Sequence, residues 1–171
     1  MALSDPFEAG GLGEVLIVDP QDFGCRRMKT IVGQLGCTCA LSAATVAEAL
    51  AALVSSNTDL VIVDRRLGMS SIGQMLRALR RAADPRFHAI TVLLSTNAAD
   101  RAFVDAVGRL GVDGIVVTPC SSRILAERIE DARGIWHQQV NSGPRPRKPY
   151  GTLEADGTEQ TCTRPIPFPQ R

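Results

Sequence analysis

Between residues 14 and 133 short apolar runs alternate with longer segments whose apolar positions recur every three or four residues. "EVLIVD" (14–19) reads as a buried strand, and "CRRMKTIVGQLG" then places Met28, Ile31, Val32 and Leu35 on one helical stripe that stops at Gly36. "CTCAL" is a second, shorter strand, followed by the Ala-rich helix "AATVAEALAALVSS" with Val46, Leu50 and Leu53 as its apolar face. "DLVIVD" is the third strand. "SSIGQMLRALRRAAD" supplies a helix with Ile72, Met75, Leu76 and Leu79 inward and Arg77, Arg80 and Arg81 outward. "AITVLL", the helix "AADRAFVDAVGRLG", "GIVV" and the helix "SSRILAERIEDARGIW" complete five βα units. Strands that are apolar throughout need cover on both faces, which predicts a parallel α/β sheet with helices on either side.

Outside that span the pattern fails. Residues 1–13 read as a leader that need not join the core, residues 14–138 as one domain, and residues 139–171 as a tail with prolines at 144, 146, 149, 165, 167 and 169. Little apolar periodicity and many prolines predict disorder for the tail. A chain of 171 residues suffices for one core rather than two. With 44% hydrophobic but only 4% aromatic residues, that core is built from Leu, Ile, Val and Ala. A formal charge of +1 gives no general electrostatic case for nucleic acid. "MALSDPFEAGG" has neither the basic start nor the apolar stretch of a signal peptide, and no run reaches membrane-spanning length, so a cytoplasmic location is expected. Cys25, Cys37, Cys39, Cys120 and Cys162 form no C-x-x-C pair and read as reduced, mostly buried thiols instead of a disulfide or zinc framework.

In a parallel sheet the side chains at the carboxyl ends of the strands gather along one edge. Asp19 ends the first strand, Asp64 the third, Ser95 and Thr96 the fourth, and Thr118 with Pro119 the fifth. Asp19 and Asp64 together offer hard oxygen ligands to Mg²⁺, and Asp64 could serve as a carboxylate nucleophile. Aspartate also terminates strands and caps turns, so position alone leaves both roles open for Asp64.

"VLIVDP", "DLVIVDRRLGMSSIGQML", "ITVLLSTNAAD" and "LGVDGIVVTPCS", in that order and spacing, resemble the receiver domain of bacterial two-component response regulators over residues 14 to about 131. The resemblance implies a five-stranded parallel sheet of order 2-1-3-4-5, flanked by five helices, and a signalling module in place of an enzyme. It implies that Asp64 accepts a phosphoryl group from a histidine kinase with Mg²⁺ present, that Asp19 and Asp64 are metal ligands, and that Thr96, in preference to Ser95, is the site hydroxyl. Ile115 matches a strand-five position that often holds a rotating aromatic.

The departures lie at the site itself. The second acidic residue of the first loop is Pro20, which has no side-chain oxygen for Mg²⁺, and the lysine before the strand-five proline is Thr118. Met69 stands where the loop after the acceptor usually has proline. Asp22 and Arg65 or Arg66 are candidates to supply the lost groups, with a loop carboxylate and solvated guanidiniums as the plainer reading. These changes predict weak Mg²⁺ binding, weak or absent phosphorylation at Asp64, and signalling by protein–protein interaction.

No DNA-binding unit or catalytic output domain is legible after Trp136. Output is expected from the last two α/β units, through Arg101, Asp105 and Arg109 on one helix and Arg123, Glu127 and Glu130 on the next, as a docking face for a histidine kinase or other signalling protein or as a homodimer contact. A second class of function rests on the tail: "GPRPRKPYG" sets Arg145, Arg147 and Lys148 beside Tyr150. It resembles the tails of some stand-alone alphaproteobacterial receivers, a subset of which bind cyclic di-GMP. A dinucleotide-binding reading fails, because the glycines of "GGLGEV" precede the first strand instead of following it.

Overall fold

The computed structural model describes residues 12–139. In chain order its elements are β1 (Glu14–Val18), α1 (Asp22–Gln34), β2 (Cys39–Ala43), α2 (Val46–Ser55), β3 (Leu60–Asp64), α3 (Met69–Arg81), the one-turn α4 (Pro85–His88), β4 (Thr91–Thr96), α5 (Arg101–Leu110), β5 (Gly114–Val117) and α6 (Ser122–Gln139). A 3-10 turn, Arg65–Leu67, joins β3 to α3. The five strands form one parallel sheet of order β2-β1-β3-β4-β5, the expected topology. α4 adds to the five expected helices: Asp84 caps it through Arg86 N (2.9 Å) and Pro85 opens it, a local signal hidden inside the run "RRAADPRFH".

Two-residue alternation divides the strands between two cores. Leu16, Val18, Val61, Val63, Val92 and Leu94 pack under α2, α3 and α5, with Ile72, Met75, Leu76 and Leu79 opposite them. Val15, Ile17, Leu60, Ile62, Leu93 and Val116 face α1 and α6. Gly114 admits α6 to the sheet edge, since a Cβ there would stand 2.8 Å from Leu93 Cδ2 and 3.4 Å from Ala132 Cβ.

Two boundaries differ from the sequence expectation. Leu12, assigned to the leader, is fully buried against the α1 side, with its N–H donating to Leu35 O (3.3 Å) and its carbonyl accepting from Thr38 N (3.0 Å). A single leucine between glycines has no periodicity to reveal it. β2 begins at Cys39 rather than Cys37, because Cys37 N still closes the end of α1 on Val32 O (3.2 Å) while Cys39 is the first residue in register with Glu14. Cys25 is buried and Cys37, Cys39 and Cys120 are half-buried, and Cys25, Cys37 and Cys120 are free thiols. Burial pushes the Cys25, Cys37 and Cys120 thiols up from their ordinary value, so none is a ready thiolate. No helix among the described residues is long and apolar enough to cross a membrane.

Candidate functional site

The strand-end residues sort by the same alternation that builds the two cores. Asp19 continues the Val15–Ile17 row and Asp64 the Leu60–Ile62 row, so both carboxylates emerge on the α1/α6 side of the sheet edge. Each is buried, at 5% and 8% exposure. On β4 the row through Leu93 leads to Ser95, whereas Thr96 follows Leu94 toward the opposite core. Ser95 Oγ accordingly donates to Asp64 Oδ2 (2.9 Å), and Thr96 Oγ1 donates instead to Ala98 O (2.8 Å). The hydroxyl that touches Asp64 is therefore Ser95. Thr96, the hydroxyl that the resemblance expects at the site, stands next to it as the last residue of β4.

Arg66 lies between the two carboxylates. The Arg65–Leu67 turn starts when Asp64 Oδ1 accepts from Arg66 N (2.8 Å), and this folds the Arg66 side chain back over the strand end. Its Nε donates to Asp64 Oδ1 (2.8 Å) and its Nη2 to both Asp19 Oδ2 (2.9 Å) and Asp64 Oδ2 (3.3 Å). Its Nη1 donates to Gln21 Oε1. The planar fork of a guanidinium suits this bridging, which a lysine could not reproduce. The Arg66 side chain keeps 45% of its exposure, while those of Asp19 and Asp64 retain 6% and 11%. Reading Arg66 as a solvated loop charge is thus overturned. Arg65 turns the other way, its guanidinium carbon 4.2 Å from the centre of the Phe103 ring on α5.

The two carboxyls respond in opposite directions. Burial pushes Asp19 above the ordinary 3.8, a push that the Gln21 N–H and Arg66 do not cancel and that the charge of Asp64 adds to. Burial also pushes Asp64 up, but the hydrogen bonds from the Arg66 side chain and backbone and from Ser95 outweigh it and hold this carboxyl below 3.8. Arg66 in turn is held more firmly in its charged form, first by its hydrogen bond to Asp64.

Gly24, in the first turn of α1, makes the cluster possible. A Cβ there would fall 1.8 Å from Asp19 Oδ2 and 3.0 Å from Arg66 Nη2. Sequence reasoning passed over Gly24 and Gln21; for Gly24 a helix-interior glycine was the available sign of a close approach. Beside the cluster a cavity of about 50 Å³ is lined by Arg27, Met28, Ile62, Ser95, Thr118 and Cys120 among others. Thr118, standing where the resemblance expects lysine, donates its hydroxyl to Thr96 O (3.2 Å), so it completes backbone pairing at the edge of the sheet. Ile115 is half-buried, packed on the α2/α3/α5 side.

Receivers generically use Mg²⁺ at the phosphorylation site, and the donor set here does not fit one. Asp19 and Asp64 are the two carboxylates present, Pro20 contributes no oxygen, Asp22 opens α1 as an exposed residue, and a guanidinium already bridges the pair. No group of three or more His, Cys, Asp or Glu side chains suited to a metal occurs among the described residues. Arg145, Arg147, Lys148 and Tyr150, like Cys162, lie outside the described residues.

The "Response regulator receiver domain" family model matches residues 15–130. The chain is 36% identical over 118 residues to a "Chemotaxis protein CheY" of Pseudomonas aeruginosa, covering 68% of this chain and 93% of that one. It is 33% identical over 99 residues to a "Probable UbiX-like flavin prenyltransferase" of Escherichia coli O111:H-, covering 58% of this chain and 47% of that one. Among solved structures, the chemotaxis response regulator CheY4 of Vibrio cholerae superposes with a TM-score of 0.61 at 19% identity, covering 71% of this chain and 98% of the other, a likeness of fold. The shared sheet order, the aspartate at the end of β3 and a family match across the whole sheet lead to one assignment: this chain belongs to the response regulator receiver family, a signalling module of two-component systems rather than an enzyme.

Proposed function

We propose that this protein is a cytoplasmic, atypical receiver that signals by docking another protein of its pathway, with Mg²⁺-dependent phosphorylation at Asp64 weak or absent. The observation that carries this reading is the state of Asp64: Oδ1 accepts two donors from Arg66, and Oδ2 accepts from Ser95 and Arg66. A carboxylate nucleophile needs a free lone pair, and here both oxygens are already engaged. Thr118 supplies no cation to an incoming phosphoryl group, and Pro20 supplies no ligand to a metal.

Docking is favoured on the α5–β5–α6 side, where Val104, Val117 and Ile124 are apolar yet 44%, 47% and 44% exposed. Arg101, Asp105 and Arg109 on α5 and Glu127 and Glu130 on α6 are exposed charges, and Arg123 pairs with Glu127 (3.1 Å). Exposed apolar side chains on elements that also carry exposed charges suit a histidine kinase, another signalling protein or a second copy of the chain.

The test is treatment with acetyl phosphate and Mg²⁺, read by intact mass, on the wild type, Asp64→Asn and the double variant Pro20→Asp with Thr118→Lys. Little or no added phosphoryl mass is expected in the wild type, none in Asp64→Asn, and more in the double variant. Near-complete modification of the wild type at Asp64 would refute the reading.

A further inference from the structure

We infer that Arg66 is the resident cation of this site, an intramolecular substitute for a divalent metal, and that its seating is passed to α5 through the stack of Arg65 on Phe103. The inference rests on the reading of the domain as a receiver with weak metal-dependent chemistry, and adds what holds the site and where its state is transmitted.

Three observations meet here. First, two carboxylates that are almost wholly buried face one positive group, and each of its three side-chain nitrogens donates: toward Asp64, Asp19 and Gln21. Unbalanced carboxylates at this depth repel one another and resist ionisation, so a cation is required for both to stay charged. Second, Gly24 leaves the room that lets Asp19 and Nη2 of Arg66 meet, since any side chain would intrude on both. Third, Arg66 and Arg65 are adjacent in one short turn, closed at Gly68 with φ +90°. One reaches into the acidic cluster and the other lies on Phe103, which is 9% exposed in the first turn of α5.

Arg65 and Arg66 share one turn whose backbone is itself tied to the cluster, because Arg66 N donates to Asp64 Oδ1 (2.8 Å). A dication entering between Asp19 and Asp64 must expel Arg66, because both compete for the same oxygens, and Arg66 can leave because it is half-exposed. An oxygen of Asp64 drawn to the dication also gives up the N–H of Arg66, and the turn so released shifts relative to Phe103. The receiver thereby balances its two carboxyl groups with a side chain of its own and ties the occupancy of the site to the helix that bears Val104 of the docking face.

The test is a Mg²⁺ and Mn²⁺ titration of the full chain, read by amide NMR shifts and paramagnetic broadening, on the wild type, Arg66→Gln and Arg66→Lys, with thermal melts verifying the fold of each. Arg66→Gln should bind the metals about tenfold more tightly or better, because a positive charge a few ångströms from the dication has been removed. Arg66→Lys, which keeps the charge, should gain less. A metal affinity of Arg66→Gln equal to that of the wild type overturns the inference, as does an equal gain in the lysine variant. Arg66→Gln should also shift the amides of residues 101–110, and those shifts should collapse when Phe103→Leu is added; shifts of the same size in both backgrounds would overturn the link to α5. None of these readouts involves phosphoryl transfer, so they stand or fall separately from the acetyl phosphate result.

Discussion

β3 and β5 both end at the same edge of the sheet, and the sequence departs from the receiver pattern beside each, yet the two ends have been rebuilt differently. β3 is buried at every residue, and the charge at its end, Asp64, is retained and balanced by Arg66 from the following turn. β5 is an edge strand with one buried residue among four, and its end carries Thr118, whose hydroxyl closes on the carbonyl of Thr96. At the buried centre a carboxylate needs a partner, because desolvation penalises it wherever the chain does not supply one. At the half-wet edge a lysine can be exchanged for threonine without leaving a buried group unpaired. Burial decides which loss demands compensation.

The largest expected contrast lies in packing. Ile62→Ala on β3, at a side chain 1% exposed, should cost about 2–5 kcal/mol. Ile115→Ala on β5, at a half-buried position, should cost about 1 kcal/mol in proportion to the apolar area it loses. Urea midpoints with an unchanged slope would measure both, and equal costs would dissolve the distinction between the two strands.

The two close-approach glycines give a smaller contrast. Gly24→Ala sets a methyl against Asp19 Oδ2, which is fixed by Gln21 N and Arg66, and should cost about 1–3 kcal/mol by overpacking while parting Asp19 from Arg66. Gly114→Ala meets Leu93 Cδ2, the tip of a side chain that can rotate aside, and should cost less. Thermal denaturation ranks the pair, and a milder Gly24→Ala would mean that the acidic cluster is looser than its hydrogen bonds indicate.

The smallest effect is the pH dependence, which the two carboxyls of the cluster should bend in opposite senses. Asp64 is held below 3.8, so its contribution to stability is present above that value and is lost as pH falls through its folded pKa. Asp19 is raised above 3.8, so the folded state takes up its proton first and stability increases as pH descends from above its folded pKa toward 3.8. Urea midpoints followed from neutral to acid should therefore show Asp19→Asn removing the rise and Asp64→Asn removing the later fall. Thr118→Val at the end of β5, which removes no ionisable group, should leave the shape of the profile unchanged. A wild-type profile unaffected by either asparagine variant would contradict these assignments.

The period of the apolar residues was enough to read five strands, their helical cover and the alignment of Asp19 and Asp64 at one edge, because period two and period 3.6 are local properties of the chain. Parity along "TVLLST" also set Ser95 in the row of Asp64, but only once the neighbouring rows of β3 and β4 were assigned to their faces. The burial of Leu12 and the demand for glycine at position 24 depend on what stands opposite them, which no window of sequence contains. The roles of the two arginines after Asp64 were least legible. In the chain they are identical neighbours; in the fold one turn directs Arg66 to two carboxylates 2 and 47 positions away and Arg65 to a ring on α5. Hydrophobic period is written residue by residue, whereas the partner of a charge is chosen by the desolvation it relieves, and that is set only when distant segments have packed around it.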